Sequence, residues 1–316
     1  MKDIVVGVIL FNPDIDILEN NLETILKQFN QVILFDNSEK SNETAISALK
    51  YKEKVVYKSE NKNCGMAYAL NRIMEIAGQY GYSWVITFDQ DSKIPNNIYQ
   101  EYSKYLNKMN VGIICSQVID KRRKYMELDG NHKDFEKVNK CITSASCTKV
   151  EAWKQAGKYD EMLFIDLVDN DFSKRVKYIG YDIYRANNVI LEQEYGNIEY
   201  KNTLFAKVVL WIGKKIHNNN IAKLSYKKKV SPMRIYYTNR NVLYLNKKHK
   251  LYGGIGYESY YCNSYIEFYL LFNLASIFRS DKKLEVLKAV IKGTYDGILL
   301  SKEAIPYSFR NVKVKK

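Results

Sequence analysis

The sequence predicts an α/β fold, a doubly wound and mostly parallel sheet flanked by helices, followed by a helical C-terminal extension. Residues 1–115 alternate short apolar runs with amphipathic helical patterns, which is the rhythm of βαβ units. Two of these runs end abruptly in polar residues, at Asp36 and at Asp89. The last third of the chain departs from this rhythm because it is basic and rich in tyrosine.

The spacing of apolar residues places each element in turn. Strands are predicted at residues 4–10, 31–35, 54–58, 84–88 and 111–116, and helices near residues 15–28, 43–51 and 63–78. Further helices are predicted after the acidic segment 164–171 and from Ser231-Pro232 onward. In a doubly wound sheet, ligands bind beyond the carboxyl ends of the strands, so the polar strand ends are the candidate site.

Composition excludes several classes of chemistry. The chain has 316 residues, of which 46% are hydrophobic, so it can bury a sizeable core. Its five cysteines are odd in number and form no CxxC pair, which argues against a disulfide framework and a thiolate zinc site. The three histidines are widely separated, and they are His132, His217 and His249. Catalysis is therefore expected from carboxylates.

Charge is distributed unevenly along the chain. Residues 1–200 carry 26 Lys and Arg against 29 Asp and Glu, whereas residues 201–316 carry 23 against 6. Basic residues interleaved with tyrosine suit an anionic lipid surface, and nucleic acid is the competing polyanion. The longest charge-free apolar stretch, Phe268 to Phe278, is about half of the roughly 20 residues that cross a bilayer. With Ile4–Phe11 interpreted as a core strand, we expect a cytoplasmic protein on the inner face of the membrane.

The segment Trp84 to Ser92 is the most informative one in the chain. It runs from a buried strand into Asp89-Gln90-Asp91, whose two carboxylates point the same way from an extended backbone. Such a pair offers hard oxygen ligands to Mg²⁺ or Mn²⁺ while a substrate diphosphate supplies the others. A simple turn after a strand is the alternative interpretation.

Two other strand ends offer polar groups. Asp36-Asn37-Ser38 can hydrogen-bond a nucleobase or a ribose, or can form an Asx turn. Asn63 to Ala67 places Gly65 at a helix start, where free N–H groups can face an anion. Residues 142–147 are small and either line a pocket or pack against a neighbouring backbone. Neither GxGxxG nor GxxxxGK[ST] occurs near these strands, which disfavours a dinucleotide dehydrogenase and a P-loop nucleotidase.

Three aspartates precede or open the predicted helix after residue 164. Asp166, Asp169 and Asp171 favour the positive end of a helix dipole, which is one explanation for them. The functional alternative is that one of them is a general base close to a metal-bound donor.

Taken in order, these motifs are similar to those of the family 2 inverting glycosyltransferases. The series FNPD, DNS, NxGxA, TFDQDS, FIDxVDxDFxxR and SPxRxYYxxRN resembles the rhamnosyltransferase-like branch that acts in bacterial polysaccharide assembly. The resemblance covers about residues 4–245. It implies a GT-A fold with a mixed, mostly parallel sheet, and a nucleotide-sugar donor bound through Mg²⁺ or Mn²⁺.

The resemblance also implies roles for individual residues. Asp169 corresponds to the catalytic base, although Val168 replaces the glutamate that precedes it in the family. The metal is assigned to Asp89 and Asp91. The donor is assigned to Asn12, Pro13, Asp36, Asn63, Gly65, Asp89 and Arg240. Contact with the acceptor or support of the base is assigned to Ser144, Asp166, Asp171 and Arg234.

The resulting hypothesis is an enzyme that moves rhamnose or another hexose, with inversion, onto a polyprenyl-diphosphate-linked saccharide during cell-surface polysaccharide or capsule synthesis. Its donor would be dTDP-rhamnose or a UDP-hexose. We expect a glycosyltransferase domain over residues 1–225 and a membrane-associating extension over residues 226–316, with a homodimer as one expected assembly. Two alternatives remain: a two-carboxylate glycoside hydrolase, and a nucleic-acid-binding module on an inactive transferase-like scaffold.

Overall fold

The core of the molecule is an eight-stranded mixed sheet. The computed structural model describes residues 2–126, 133–194, 196, 198–216, 219–302 and 305–310. The strands of this sheet are β1 (Lys2–Leu10), β2 (Val32–Asp36), β3 (Val55–Ser59), β4 (Tyr82–Asp89), β5 (Val111–Ile119), β6 (Phe135–Val138), β7 (Ser146–Lys149) and β8 (Asp182–Glu192). Their spatial order is β3-β2-β1-β4-β7-β5-β8-β6. The predicted α/β class is confirmed.

The first half of the sheet is the predicted parallel, doubly wound unit. Strands β1 to β4 pair in parallel, so β1, β2 and β4 bring Leu10, Asp36 and Asp89 to the same edge of the sheet. Five predicted strands lie within a few residues of their expected bounds, because their β-branched and aromatic runs are long and uninterrupted.

The second half departs from a purely parallel sheet. The small-residue segment at 142–147, predicted to line a pocket or pack against backbone, leads into β7 and shares Ser146 and Cys147 with it. Strand β7 inserts between β4 and β5 and runs antiparallel to both. Its four residues are too few to show a strand pattern in the sequence. Strand β6 is also antiparallel to its neighbour, β8.

Helices cover both faces of the sheet. They are α1 (Ile15–Leu26), α2 (Glu43–Ser47), α3 (Met66–Gln79), α4 (Ile98–Ser103), α5 (Val150–Gln155) and α6 (Val168–Tyr178). Successive residues of β1 face opposite cores: Val5 packs with α3 and α6, whereas Val6 packs with α1. Helix α2 ends at Ser47, earlier than predicted, and a 3₁₀ turn at Lys52–Lys54 follows.

The rest of the chain is mainly helical, as predicted. A two-stranded sheet of β9 (Ile198–Tyr200) and β10 (Tyr226–Lys228) encloses α7 (Leu204–Lys215) and α8 (Asn219–Ala222). Then come α9 (Pro232–His249), α10 (Tyr265–Phe268), a π-helical segment (Tyr269–Leu274), α11 (Ala275–Arg279), α12 (Lys283–Lys302) and α13 (Tyr307–Arg310). Within the residues described above, no helix is both long enough and apolar enough to cross a bilayer.

Helices α9 and α12 approach each other closely. A Cβ added to Gly293 would lie 2.4 Å from the carbonyl oxygen of Tyr236, and one added to Gly297 would lie 2.8 Å from that of Arg240. These two glycines, one turn apart on α12, therefore allow the backbones to pack almost in contact. Helix α12 in this way fixes the position of α9, which carries several of the candidate site residues.

Candidate active site

The loops after β1, β2 and β3 are joined by side-chain amides. Asn37 Nδ2 donates to Asn63 Oδ1 at 3.0 Å, and Asn37 Oδ1 accepts the N–H of Cys64 at 2.8 Å. The N–H of Asn12 donates to Ser38 Oγ at 2.7 Å, and Asn12 has a left-handed φ of 47°. The structure thus brings the predicted donor residues Asn12, Asn63 and Gly65 to one edge of the sheet.

Asp36 is buried and fully engaged within the protein. Its Oδ1 accepts the N–H of Ser38, and its Oδ2 accepts the N–H and Nδ2 of Asn42 and the hydroxyl of Tyr57, the last at 2.6 Å. Burial raises the pKa of this carboxyl, but the hydrogen bonds outweigh burial and lower it. In this arrangement Asp36 shapes the β2 loop, and its contact with a nucleobase stays a prediction.

The start of α3 differs from the open anion site that the sequence suggests. The N–H of Gly65 donates to Asn63 Oδ1, and the N–H of Met66 donates to the carbonyl of Phe164 at 2.7 Å. Gly65 has a φ of 89°, and a Cβ there would lie 2.7 Å from the Phe164 ring. The glycine therefore serves the close approach of the Phe164 loop, and these N–H groups are already used inside the protein.

Gln90, between the two aspartates, holds the first loop. Its Oε1 accepts the N–H of Phe11 at 2.8 Å, and its Nε2 donates to the carbonyl of the same residue at 3.1 Å. The backbone carbonyl of Gln90 accepts Nδ2 of Asn21 at 2.8 Å. This side chain therefore fixes the loop that contains Asn12 and Pro13 against the end of β4.

Asp89 and Asp91 form an acidic pair at the end of β4. Burial, then the negative charge of Asp91, raises the pKa of Asp89, while Gln193 and Arg234 lower it. Gln193 Nε2 donates to Asp89 Oδ2 at 2.6 Å. Ser144, predicted to contact the acceptor or support the base, is buried and accepts the N–H of Asp89 at 3.4 Å through its Oγ. Ser144 thus supports the turn that carries both aspartates.

The donor atoms at this edge fit a hard divalent cation. Gln193 Oε1 is buried without a hydrogen-bond partner next to Asp89, and an amide oxygen is a suitable ligand for Mg²⁺ or Mn²⁺. A cation would also relieve the repulsion between Asp89 and Asp91. Across the described ranges no three His, Cys, Asp or Glu side chains cluster as a metal site, so other oxygen ligands would complete the coordination.

A strained turn leads into the helix that carries Asp169. Asp166 and Leu167 both have left-handed backbones, with φ of 65° and 67°, which is costly for residues other than glycine. Asn241 of α9 holds this turn, since its Nδ2 donates to the carbonyls of Ile165 at 2.8 Å and Asp166 at 3.0 Å. Helix α9 therefore fixes the direction in which α6 begins.

Asp169 lies in the first turn of α6 and has the properties of a general base. Burial raises the pKa of its carboxyl to about 6, partly offset by hydrogen bonds from backbone N–H groups, of which that of Asn170 is 2.9 Å away. It lines a narrow cavity with Tyr159 and Phe172, which accounts for its loss of hydration. Near neutral pH this carboxylate is ionised yet basic enough to accept a proton.

Asp171, two residues further on, is a structural carboxylate. Its Oδ2 accepts Nε and Nη2 of Arg175 at 2.9 and 2.7 Å and Nζ of Lys248 at 2.9 Å. These cations hold the pKa of Asp171 well below its usual range despite complete burial. Of the two roles predicted for Asp171, direct contact with an acceptor does not fit its burial, and support of Asp169 stays a prediction.

Arg234 interacts with both acidic parts of the site, the pair at Asp89 and Asp91 and the cluster at Asp166 and Asp169. Its Nε donates to both carboxylate oxygens of Asp166, at 3.2 and 3.3 Å, and its charge acts on Asp89 and Asp169 as well. Arg240, predicted to bind the donor, instead points toward the loop before Asp166: Nη2 donates to the carbonyl of Met162, and Nε to Asn241. Of the two arginines, Arg234 is therefore the one near the acidic pair.

Several site residues escaped the sequence interpretation. Gln90, Gln193 and Asn241 act through partners that are 79, 104 and 76 residues away, so no local pattern marks them. His249 is buried 3.4 Å from Asp171, measured from Nε2 to Oδ1. His132 and His217 lie outside the described residues.

Comparison with known proteins shows which family the first part of the chain matches. The family model described as glycosyl transferase family 2 matches residues 5–145, which contain the first-loop, Asp36, Gly65 and Asp89 elements. Residues 5–145 form a glycosyl transferase family 2 domain. The dTDP-rhamnosyl transferase RfbF of Shigella flexneri is 26% identical over 306 residues, covering 92% of this chain and 94% of that protein. The protein is a glycosyltransferase, so the hydrolase and inactive-scaffold alternatives are not supported.

A solved structure shares the fold of this glycosyltransferase. GalNAc-T7, solved with UDP, GalNAc and Mn²⁺, has a TM-score of 0.50 at 12% identity, with 85% of this chain and 56% of that chain covered. The mannosyltransferase PcManGT of Pyrobaculum calidifontis, solved with GDP-Man and Mn²⁺, has a TM-score of 0.49 at 13% identity, with coverage of 93% and 86%. The GT-A architecture predicted for the glycosyltransferase is confirmed.

Proposed function

We propose that this glycosyltransferase moves rhamnose or another hexose from a nucleotide-sugar donor to a polyprenyl-diphosphate-linked saccharide, with inversion, in the synthesis of a cell-surface polysaccharide such as capsule. One observation carries the proposal: Arg234, which is hydrogen-bonded to Asp166 three residues before Asp169, also lowers the pKa of Asp89 in the acidic pair. A cation site and a base close to the same arginine suit a substitution at the anomeric carbon. In such a reaction a hydroxyl attacks that carbon while the diphosphate departs from it.

The donor is assigned to the edge formed by the β1, β2 and β4 loops. Asp91, Asp89 and Gln193 Oε1 would hold Mg²⁺ or Mn²⁺, which when bound neutralises charge on the departing diphosphate. Arg234 is close enough to that edge to add a second positive charge. The rhamnosyl donor in the name of RfbF makes dTDP-rhamnose the first donor to test, followed by UDP-hexoses.

The acceptor is assigned to the side of Asp169. In the proposed reaction the acceptor hydroxyl gives its proton to an Asp169 carboxylate oxygen as the hydroxyl oxygen bonds to the anomeric carbon. The bond from that carbon to the diphosphate breaks on the opposite face, so the configuration inverts. Asp166 is occupied by Arg234, which leaves Asp169 as the base of this cluster.

The lipid of the proposed acceptor would account for the excess of Lys and Arg in residues 201–316. We propose that residues 226–316 form a membrane-associating extension of a glycosyltransferase domain at 1–225, at the inner face of the membrane. Exposed apolar side chains occur there: Leu270, Leu271 and Phe278 are exposed, and α12 adds Leu284 and Ile291, which adjoin Lys283 and Lys292 in the sequence. Such a mixture suits anionic headgroups.

A donor panel tests the proposal. The purified protein is incubated with dTDP-rhamnose, UDP-hexoses or GDP-hexoses, a short lipid-linked acceptor and Mn²⁺, and products are analysed by NMR. We expect one donor to give a product whose anomeric configuration is opposite to that of the donor, and we expect EDTA to abolish it. A product that retains the configuration, or equal turnover with EDTA, would contradict the mechanism.

A further inference from the structure

Helix α7 exposes an apolar face on the side opposite the one that it buries. Leu204 is 79% exposed, Phe205 63% and Trp211 60%, and Val208 and Ile216 are exposed as well. At 100° per residue, the side chains at 204, 208 and 211 fall within one narrow stripe. Large apolar side chains on a solvent-exposed stripe indicate a surface that contacts a membrane or another molecule.

The inward face of α7 is formed by Ala206, Val209 and Gly213, none of which has a large side chain. Ala206 and Gly213 are buried, and a Cβ added to Gly213 would lie 2.5 Å from the backbone nitrogen of Ala222 in α8. The helix therefore packs tightly against α8 through its small side. Its bulky side chains contribute little to that packing, so their apolar character needs another explanation.

Charge around α7 indicates what covers the stripe. Lys207, Lys214 and Lys215 are the charged residues of the helix, and Lys215 Nζ lies 4.9 Å from the centre of the Trp211 ring. The sequence has no Asp or Glu between Glu199 and Glu258, whereas Lys and Arg recur throughout that stretch. A protein partner with an apolar patch alone would not need this bias, but an anionic lipid surface matches it.

We infer that α7 is an interfacial helix that lies in the plane of an anionic membrane, with Leu204, Phe205, Val208 and Trp211 inserted among the acyl chains. The inference rests on the proposed membrane association and assigns it to an element outside the predicted extension at 226–316. Lysines beside the stripe would contact lipid phosphates.

The chain carries its own probe for this contact. Of its three tryptophans, Trp84 and Trp153 are buried in the core, and Trp211 is exposed on the stripe. Insertion of α7 should therefore shift tryptophan emission to shorter wavelength when vesicles of phosphatidylglycerol and phosphatidylcholine in equal parts are added to the full chain. Vesicles of phosphatidylcholine alone should give a much smaller shift, because they lack the negative charge.

Variants separate α7 from the extension. Replacing Leu204, Phe205 and Val208 together with Gln should reduce vesicle flotation at least tenfold and abolish the emission shift. In the extension, replacing the exposed pair Leu270 and Leu271 with Gln should lower flotation only in part and retain the emission shift, because Trp211 lies on α7. The matched control replaces Ile17 and Met109, which are exposed outside both regions, with Gln and should retain both signals. A Trp211→Phe variant should still float but show no shift.

The remaining outcomes either support or overturn the inference. Equal flotation of the α7 triple variant and the wild type would overturn the inference. An emission shift that the wild type shows by self-association in the absence of vesicles, and that the triple variant lacks, would also overturn it. Turnover of a water-soluble acceptor by the α7 variant should equal that of the wild type. If no sugar nucleotide is turned over by either protein while vesicle binding behaves as expected, the proposed reaction fails and the lipid contact stands.

Discussion

Two aspartates two residues apart on α6 have opposite chemistry because of what surrounds them. Among the described residues, no Lys or Arg side chain donates a hydrogen bond to Asp169. Burial therefore raises the pKa of Asp169 to about 6. Asp171 is completely buried, whereas Asp169 is half-buried, but Asp171 bonds to Arg175 and Lys248, which keep it ionised. The same side chain is thus suited to the proposed role of a base at one position and forms a structural anion at the other.

Substitution of Asp169 tests its role directly. Asp169→Asn should reduce transfer at least a thousandfold while the dissociation constant for the donor stays within about twofold, because the amide keeps the shape but accepts no proton. Product formation and donor calorimetry measure the two effects. Turnover close to that of the wild type would remove Asp169 as the base.

The pH dependence of transfer follows from the same carboxyl. Because Asp169 must be ionised to accept a proton, kcat/KM should rise about tenfold per pH unit below about pH 6 and level off above it. The raised pKa also means that ionisation of Asp169 costs folded-state stability as the pH rises through this range. A profile flat between pH 5 and pH 7 would contradict the assignment.

The acidic pair is tested through the metal. Asp91→Ala should abolish the Mn²⁺-dependent part of donor binding, measured by calorimetry with and without the ion, because a carboxylate ligand is lost. Asp281→Ala, at an exposed position before α12, is the matched control and should bind like the wild type. Donor affinity that is unchanged in Asp91→Ala with Mn²⁺ present would exclude this role.

At the scale of elements, α9 organises the acidic side of the site. Successive parts of this one helix present Arg234 to Asp166, Asn241 to the strained turn, and Lys248 to the buried carboxylates Asp160 and Asp171. Its own position is fixed by α12 through Gly293 and Gly297. Stability and catalysis are therefore coupled through a helix that lies mostly outside the strand-end loops.

Removal of Lys248 should show this coupling. Lys248→Met leaves Asp160 and part of Asp171 buried without their shared cation, so the free energy of unfolding should fall by about 3–5 kcal/mol. Lys250→Met, two residues later at an exposed position, should change it by less than about 0.5 kcal/mol. Urea unfolding measures both. Equal free energies of unfolding for the two variants would show that Lys248 does not stabilise the buried carboxylates of Asp160 and Asp171.

How far the sequence predicted these elements depended on the range of their interactions. Strands β1 to β5 and the start of α9 carry their own signals, namely apolar runs and the Ser231-Pro232 cap, whose Oγ accepts the N–H of Arg234. Strand β7 and Gln193 do not, because each acquires its role from a strand far away in sequence. The order of the motifs located Asp169, but only the fold shows its burial and its proximity to Arg234.

At the scale of the whole molecule, the two proposed parts share one buried charge cluster. Asp160, Asp171 and Arg175 belong to residues 1–225, whereas Tyr244 and Lys248, which bond to Asp160, belong to residues 226–316. A boundary drawn near residue 225 therefore separates functions rather than independent cores.

We expect the chain to unfold in a single cooperative transition. In urea, circular dichroism should report the loss of helices in both parts, and the emission of Trp84 and Trp153 should report residues 1–225. The Trp211→Phe variant removes the exposed reporter, and the two curves should then have the same midpoint. Two separated transitions would show that the parts fold independently.

The turn at Asp166 and Leu167 has a consequence for biosynthesis of the protein. A ribosome releases the strand-end loops first, but Asn241, which holds this turn in its left-handed conformation, emerges about 75 residues later. A nascent chain can therefore expose the loops proposed to face the nucleotide before Asp169, the proposed base, is oriented. In the proposed mechanism, removal of the acceptor proton then waits until the part of the chain that holds this turn has been translated.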